Sequence, residues 1–204
     1  MLNWRKDKIF RLCDNVGSGG TPDSSNADYY DGTIKWVQTG DLNDGLLSHT
    51  SKTITELGLK SSSAKLFPPG TLLIAMYGAT IGKMGIIESP AATNQACCAM
   101  NFRKNVDTKY MFYKFLAIRE PLIAQGYGGG QQNISQEIIK QTYVHFPRTD
   151  EQLRIAAYLD KTCAAIDAAI EKKQKQIEAL DALRKAIIHK AVTRGLDDTV
   201  ELKD

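Results

Sequence analysis

The chain has 204 residues and a mass of 22.5 kDa, with 43% hydrophobic and 24% charged residues. These proportions are typical of a folded domain with one extended element, and they exclude collagen-like, low-complexity and disulfide-scaffold proteins. The longest apolar runs are far shorter than the roughly 20 residues that cross a bilayer. Because the N-terminus also lacks the apolar run of a secretory signal, we expect a cytoplasmic protein.

The positive charge is unevenly distributed. Residues 1–148 contain 16 Lys and Arg against 12 Asp and Glu, a net charge of +4, whereas residues 149–204 contain 10 against 11, a net charge of −1. A basic first part is compatible with a polyanionic partner.

The cysteines follow no metal-binding or disulfide pattern. Cys13, Cys97, Cys98 and Cys163 form no Cys-x-x-Cys pair, and the chain has only 3 histidines. We therefore expect reduced and mostly buried thiols, with no zinc site and no disulfide bond.

Short runs of aliphatic residues alternate with turns before residue 147. They predict strands at residues 34–37, 72–76, 84–87 and 97–102, with turns at Asp31-Gly32, at residues 43–45 and at residues 68–70. Helical spacing predicts a helix at residues 110–118, and Ser135 is the expected N-cap of a short helix that ends near residue 140. A strand at residues 142–146 then closes an α+β domain over residues 1–148.

A long helix is predicted for residues 149–195. Its start, Thr-Asp-Glu-Gln at residues 149–152, matches a capping box, and Gly195 is expected to end it before a tail or linker at residues 196–204. Apolar residues recur in steps of three, four and seven, which is the pattern of a coiled-coil seam. The seam consists of Leu159, Ile166, Ile170, Ile177, Leu180, Ile187 and Ala191, with Lys173 and Arg184 as polar members. Since no second long helix is predicted to cover this seam, we expect another chain to cover it.

Familiar catalytic motifs are missing from the sequence. The glycine-rich residues 126–130 are not followed by Gly-Lys-Ser/Thr, the dinucleotide-binding spacing fails, and no Gly-x-Ser-x-Gly is found. Asp23 and Asp107 could contribute to a metal-dependent nuclease site, but they are far apart in commonplace contexts. Recognition is therefore favoured over catalysis.

A set of short motifs, in order, resembles the specificity subunit of type I restriction–modification systems. The motifs are SGGTP at residues 18–22, WVQTGDL at 36–42, PGTLLIAMYGATIGK at 69–83, TNQA at 93–96, QQNIS at 131–135, EQLRIAAYLD at 151–160 and IHKAVTRGL at 188–196. Together they cover nearly the whole chain.

The resemblance implies a non-catalytic subunit whose target-recognition domain reads one half of a bipartite DNA site. It also implies that the helix docks methyltransferase subunits, that restriction subunits join the complex, and that S-adenosylmethionine and ATP belong to those partners. The chain itself is expected to bind no cofactor or metal. Members of the family carry two such units, so this chain is either a half-length subunit or half of a longer one. Two copies should pair through antiparallel helices using Leu159, Ile166, Ile170, Lys173, Ile177, Leu180, Arg184 and Ile187, and should read an interrupted palindrome.

Polar and aromatic residues of the loops are the predicted DNA contacts. They are Thr21, Lys35, Thr39, Tyr77, Thr80, Lys83, Asn94, Gln95, Tyr127, Gln131, Gln132 and Asn133. Gln and Asn can bond adenine through its major-groove edge, Lys can bind phosphate, and Tyr can stack on sugars. Structural roles compete at several positions: Trp36 is expected in the core, Asn94 and Gln95 could satisfy loop backbone, and Thr39 with Asp41 is expected to shape a turn.

Three alternatives remain open. One is a recognition module of another multi-subunit methyltransferase–nuclease, and another is a nuclease that uses Asp23 or Asp107 with a metal. A pure assembly scaffold is the third. It predicts that Gln131, Gln132 and Asn133 can become Ala without changing which DNA site the complex methylates.

Overall fold

The computed structural model describes residues 4–127 and 133–196. Residues up to Ala156 form one compact unit and residues from Ala157 form another. The first unit mixes strands and helices, and a long C-terminal helix follows. The predicted α+β class with a long helix is therefore confirmed.

The bounds of the elements are as follows. The strands are β1 (Arg5–Lys8), β2 (Cys13–Gly17), β3 (Tyr30–Val37), β4 (Gly45–Leu47), β5 (Lys52–Ile54), β6 (Leu66–Phe67), β7 (Leu72–Ala75), β8 (Met84–Ile87), β9 (Ala91–Thr93), β10 (Cys97–Phe102) and β11 (Tyr143–Phe146). The helices are α1 (Ile9–Leu12), α2 (Glu56–Lys60), α3 (Thr108–Ala117), α4 (Arg119–Ile123), α5 (Gln136–Gln141) and α6 (Thr149–Arg194).

The strands of the described residues form three sheets. A five-stranded sheet has the order β2-β10-β7-β8-β4, a four-stranded sheet has the order β5-β3-β9-β6, and β1 pairs with β11. Most neighbours are antiparallel, but β4 and β8 are parallel, as are β3 and β9. In the five-stranded sheet, β10 lies antiparallel between β2 and β7.

The central strands β7, β8 and β10 of the five-stranded sheet are buried on both faces. Along β7, Leu72 and Ile74 join a core with the helices α3 and α5, whereas Leu73 and Ala75 join a second core. The second core includes Val37 and other residues of the four-stranded sheet. A strand covered on both faces has no polar alternation, which explains why β7 is a continuous apolar run.

The principal predicted elements are confirmed. Strands occupy the four predicted early positions, α3 covers the predicted helix, and β11 is the predicted closing strand. Ser135 is the N-cap of α5, because its hydroxyl accepts a hydrogen bond from the backbone N–H of Ile138. Trp36 is a core residue that is 2% exposed, and its Nε1 donates to the carbonyl oxygen of Gly20 over 3.1 Å.

The predicted turn at Asp31-Gly32 is wrong. Strand β3 already begins at Tyr30, and its pairing with β5 shifts register between Tyr30 and Ile34. Asp31 therefore sits in a bulge with a φ of 57°, and a Cβ at Gly32 would lie 2.5 Å from the carbonyl oxygen of Ile54. The expected turn at residues 43–45 is confirmed by the φ of 62° at Asp44.

Several short elements were not predicted from the sequence: β1, β2, β4, β5, β6, β9, α1, α2 and α4. Strand β1 illustrates the reason, since its sequence is Arg-Lys-Asp-Lys and three of its four residues are cations. It is a strand because it pairs with β11, which is more than 130 residues later in the chain. Local propensity does not contain such a partner.

Helix α6 contains 46 residues, which corresponds to roughly 70 Å at 1.5 Å per residue. Gly195 follows it with a φ of 76°, so the predicted helix stop is confirmed. The predicted capping box is wrong, because the hydroxyl of Thr149 donates to the carbonyl oxygen of Asn105 over 2.8 Å.

The side chain of Gln152 does not cap α6 but bonds backbone groups of the domain. Its side chain is 1% exposed, and its Oε1 accepts from the backbone N–H of Asp107 over 2.8 Å. Its Nε2 donates to the carbonyl oxygen of Pro147 over 2.9 Å. Gln152 therefore fastens the first turns of α6 to the domain, where buried backbone groups need partners more than the helix end does.

Candidate nucleic-acid interface

Four loops meet at one end of the five-stranded sheet. Strands β2 and β7 end where β10 begins, as the pairs Gly17–Ala99 and Ala75–Cys97 show. The loops after β2, β7 and β9 and the segment before α5 consequently converge. We call residues 18–21, 76–77, 93–96 and 133–136 the loop cluster.

Two glycines allow close packing in the loop cluster. The backbone N–H of Gly19 donates to the hydroxyl of Thr93 over 3.0 Å, and a Cβ at Gly19 would lie 2.0 Å from the carbonyl oxygen of Thr93. A Cβ at Gly20 would lie 1.9 Å from the hydroxyl of Ser63. Any larger residue at either position would displace the loop.

Thr21 and Gln95 are brought together at the surface. The hydroxyl of Thr21 donates to Oε1 of Gln95 over 2.6 Å, although the residues are 74 positions apart in the chain. Both side chains are exposed. This bond orients the amide of Gln95, whose Nε2 group makes no hydrogen bond to the described residues and can donate to a ligand.

Backbone bonds connect the remaining loops. The N–H of Met76 donates to the carbonyl oxygen of Ala96 over 2.9 Å, and the N–H of Ile134 donates to the carbonyl oxygen of Met76 over 2.7 Å. The side-chain amide of Gln136 donates to the hydroxyl of Ser18. The loop cluster is thus a connected surface that joins several of the predicted contact residues from distant parts of the sequence.

Tyr127 and Asn133 form an antiparallel bridge. The N–H of Tyr127 donates to the carbonyl oxygen of Asn133 over 3.1 Å, and the reverse bond is 3.0 Å. Tyr127 is 75% exposed and Asn133 is also exposed. Gln131 and Gln132, the other members of the predicted polar trio, lie outside the described residues.

Thr80 and Lys83 lie in the tight segment between β7 and β8. Its turns use Gly78 with a φ of 86° and Gly82 with a φ of 78°. Lys83 is exposed, and its backbone N–H donates to the carbonyl oxygen of Thr80 over 2.9 Å. Its ammonium group is therefore open to solvent.

An ion pair that was not predicted from the sequence supports the segment containing Thr80 and Lys83. The guanidinium of Arg119 bonds the carboxylate of Asp44, which also accepts from the N–H of Met84 over 3.0 Å. Both side chains of the ion pair are mostly buried. A single sequence offers no sign that these charges meet, since 75 positions separate them.

Two other predicted contacts have side chains that are engaged within the fold, and a third belongs to a turn. The ammonium of Lys35 donates to the carbonyl oxygen of Ser48 and to the hydroxyl of Ser89. The side chain of Asn94 accepts from the N–H of Ala96 over 3.1 Å. Thr39 begins a 3-10 turn closed by Asp41, so the expected turn is confirmed. These residues shape the surface around the loop cluster.

The carboxylates considered for a nuclease have local structural roles. Asp23 accepts from the N–H and the hydroxyl of Ser25, and these hydrogen bonds lower the pKa of Asp23. Asp107 is the N-cap of α3 and accepts from the N–H of Tyr110 over 2.7 Å. Among residues 4–127 and 133–196, no group of three or more His, Cys, Asp or Glu side chains is arranged to hold a metal ion.

Three of the four cysteines are buried, as predicted. Cys13, Cys97 and Cys98 are each raised in pKa to about 12 by burial, so these thiols stay protonated. Cys163 is only partly buried. It lies on α6, four positions after Leu159.

The seam of α6 is exposed in the single chain. Ile166, Ile170, Ile177, Leu180 and Ile187 are between 54% and 64% exposed. Lys173 and Arg184 are also exposed, and Leu159 is partly buried. Side chains of this size are rarely left in water along a whole helix face without a partner.

A family model for the type I restriction modification DNA specificity domain matches residues 1–179. The chain belongs to this family. The whole first unit, with the loop cluster, and most of α6 lie within the matched residues.

Two curated members of the type I family are similar in sequence. The MjaIX specificity subunit of Methanocaldococcus jannaschii is 29% identical over 186 residues, which are 89% of this chain and 42% of that subunit. The EcoR124I/EcoR124II specificity subunit of Escherichia coli is 26% identical over 166 residues, which are 78% of this chain and 41% of that subunit. The chain thus spans about two fifths of the length of these relatives.

Solved structures share the fold. A chain from work on the complex assembly and conformational transition of the type I R-M system matches with a TM-score of 0.78 at 23% identity, over 96% of this chain and 47% of that one. The HsdS subunit from Thermoanaerobacter tengcongensis matches with a TM-score of 0.69 at 22% identity, over 96% of this chain and 46% of that one. As for membranes, no helix of the described residues is long and apolar enough to cross one.

Proposed function

We propose that this specificity-family chain is the DNA-recognition subunit of a type I restriction–modification complex, and that each copy reads one half of a bipartite site. The loop cluster is the observation that carries this proposal. It brings exposed polar side chains from distant loops onto one connected surface next to the exposed Lys83. Base edges are read by such side chains, and cations bind the phosphates.

The chain acts without chemistry of its own. Asp23 and Asp107 hold a turn and a helix end, which accounts for both carboxylates without a reaction. Methyltransferase and restriction subunits supply catalysis and bind S-adenosylmethionine and ATP, and the complex works on DNA in the cytoplasm. Cleavage of plain duplex by the purified chain with magnesium would contradict this part of the proposal.

Two copies pair through the exposed seam of α6. In a parallel pair in register, Lys173 would face Lys173 and Arg184 would face Arg184, placing like charges in the seam. An antiparallel pair whose twofold axis lies at Lys175 avoids this. It sets Lys173 beside Ile177 of the second copy and Arg184 beside Ile166 of the second copy. The long stems of both side chains can then cover isoleucine while their charges reach water.

One antiparallel register is favoured over its neighbours. It centres the twofold axis at Lys175 and sets Leu159 beside Ala191 and Ile170 beside Leu180. A shift of one heptad in one direction would set Lys173 beside Arg184. The opposite shift would set Ile187 beside Ala156, which is 3% exposed within the first unit and cannot take a partner.

Solution mass tests the pairing. Light scattering over a wide concentration range should give a dimer for the unaltered chain. Ile170→Asp should weaken dimerisation at least a hundredfold, about 3 kcal/mol, because it places an unpaired charge in the seam. Ala168→Asp adds the same charge on the opposite face of the helix and should stay dimeric. A monomer at all concentrations, or equal effects of both variants, would refute the pairing.

Disulfide trapping tests the register. The antiparallel register sets Cys163 beside Ile187 of the second copy, so Ile187→Cys should form an intermolecular disulfide under mild oxidation. Ala182→Cys, on the outer face, should not. A parallel pair would instead set Cys163 beside Cys163, and covalent dimers of the unaltered chain would then appear at once.

DNA selection tests the recognition itself. From a library of random duplexes at low salt, the chain should enrich two identical half-sites in inverted orientation with a fixed spacer. Gln95→Ala and Thr21→Val should weaken binding, whereas Gln141→Ala, an exposed glutamine at the end of α5, should leave it unchanged. No enrichment, with or without the methyltransferase subunits, would refute the proposed function.

A further inference from the structure

A groove of about 490 Å³ opens on the loop cluster beside the start of α5. Met76 and Ile134 contribute to its lining, Tyr77 and Tyr127 are exposed aromatic members, and Asn133 is also exposed. Tyr77 is 37% exposed and Tyr127 is 75% exposed. The groove is therefore largely aromatic and aliphatic, although it lies within a surface of polar loops.

The polar groups around the groove are mostly committed elsewhere. The hydroxyl of Ser135 caps α5 by accepting from the N–H of Ile138, and the amide of Gln136 donates to Ser18. The backbone groups of Tyr127 and Asn133 bond each other. The side chain of Asn133 is exposed and makes no hydrogen bond to a described residue. Among the described residues of the groove, its amide is therefore the polar side chain that can face a ligand.

On the major-groove edge of B-DNA, hydrogen-bonding groups predominate, and the prominent apolar group is the C5 methyl of thymine. The adenine paired with thymine presents N6 and N7, which an Asn amide can bond in bidentate fashion. An apolar groove with the Asn133 amide beside it can contact both the methyl group of thymine and the hydrogen-bonding edge of adenine. It matches a G·C pair poorly, since that pair has no C5 methyl and guanine offers no donor to the amide oxygen.

We propose that this groove is a thymine-reading subsite, in which Tyr77 and Tyr127 contact the C5 methyl and Asn133 faces the adenine of an A·T pair. The subsite rests on the proposed DNA recognition and adds a chemical preference to it. A sugar edge or an unstacked base could also contact two tyrosines, but neither would depend on the methyl group. The methyl group is therefore the feature to test.

Replacement of thymine by uracil removes only that methyl group. In the half-site obtained by selection, each thymine is changed to uracil in turn, and affinity is measured with the intact dimer. One position should lose about fourfold, the value of one buried methyl group, while the others change little. A selected half-site without any A·T pair would overturn the subsite.

Tyrosine variants connect the methyl group to the groove. Tyr127→Ala and Tyr77→Ala should bind thymine and uracil duplexes equally at the sensitive position, whereas Tyr127→Phe, which keeps the ring, should retain the fourfold difference. Tyr143→Ala, at an exposed tyrosine of β11, is the matched control and should also retain it.

The outcomes separate the subsite from the function on which it rests. Specific binding with no uracil-sensitive position, or with a sensitive position that persists in both alanine variants, overturns the subsite and leaves the proposed function standing. If the unaltered chain shows no sequence preference at all, both the subsite and the proposed function are overturned.

Discussion

The first unit and the helix from Ala157 onward differ in how far their apolar side chains are buried. In the first unit, Phe115, Met111 and Leu72 are fully buried between sheet and helices. Along the helix, Ile170 and Leu180 remain more than 60% exposed. A domain can fold on its own core, whereas one long helix cannot cover its own stripe. The first unit thus has a core of its own, whereas the apolar stripe of the helix is covered only in the proposed pair.

The largest expected effect concerns the core of the first unit. Phe115→Ala should lower the free energy of unfolding by about 3–5 kcal/mol, because it removes a fully buried ring and leaves a cavity. Denaturant unfolding followed by tryptophan fluorescence measures it. The loss should be the same at every protein concentration, and a concentration-dependent loss would contradict a self-sufficient domain.

The attachment of α6 to the domain gives the next effect. Gln152→Leu should cost about 1–3 kcal/mol, since the N–H of Asp107 and the carbonyl oxygen of Pro147 lose their partner. Gln174→Leu, at an exposed position of the same helix, is the control and should cost little. Equal stability of the two variants would show that the buried amide does not fasten the helix.

The polar seam residues sharpen the comparison from the side of the helix. Lys173→Leu with Arg184→Leu should tighten the dimer at least about tenfold, because leucine suits the seam better than a charge. Sedimentation equilibrium measures the change. The variant should also lose its unique register, so that trapping through Ile187→Cys becomes less efficient. A weaker dimer would mean that these charges make favourable contacts across the pair.

The smallest effect concerns the cap next to the groove. Ser135→Ala should cost about 1 kcal/mol, since the N–H of Ile138 loses its acceptor. Thermal unfolding measures it, with Ser135→Thr as the variant that keeps a hydroxyl. No difference between Ala and Thr would show that the hydrogen bond does not stabilise α5.

Strong local patterns made parts of the fold and the seam predictable. The runs that became β7 and β10 are apolar and bounded by turn residues, and Ser135 is a typical N-cap before a helical sequence. Contacts between distant residues were not predictable. Thr21 meets Gln95, and Asp44 meets Arg119, across 74 and 75 positions, and no local pattern carries that information.

Gln152 shows the limit most clearly. Its spacing from Thr149 matches a capping box, but the amide is buried and bonds Asp107 and Pro147 instead. Local and tertiary partners compete for the same side chain, and the partner with the greater need for a buried hydrogen bond prevails.

By itself, the sequence determined the α+β class, the bounds of the long helix, the heptad repeat of its seam and the resemblance to type I specificity subunits. These could be predicted because periodicity and ordered motifs are properties of the chain. Tertiary structure alone decided which loops meet, which polar residues are engaged by neighbours, and where a groove opens between two tyrosines. Loop proximity follows from strand order, and strand order is set by packing over long separations rather than by local preference.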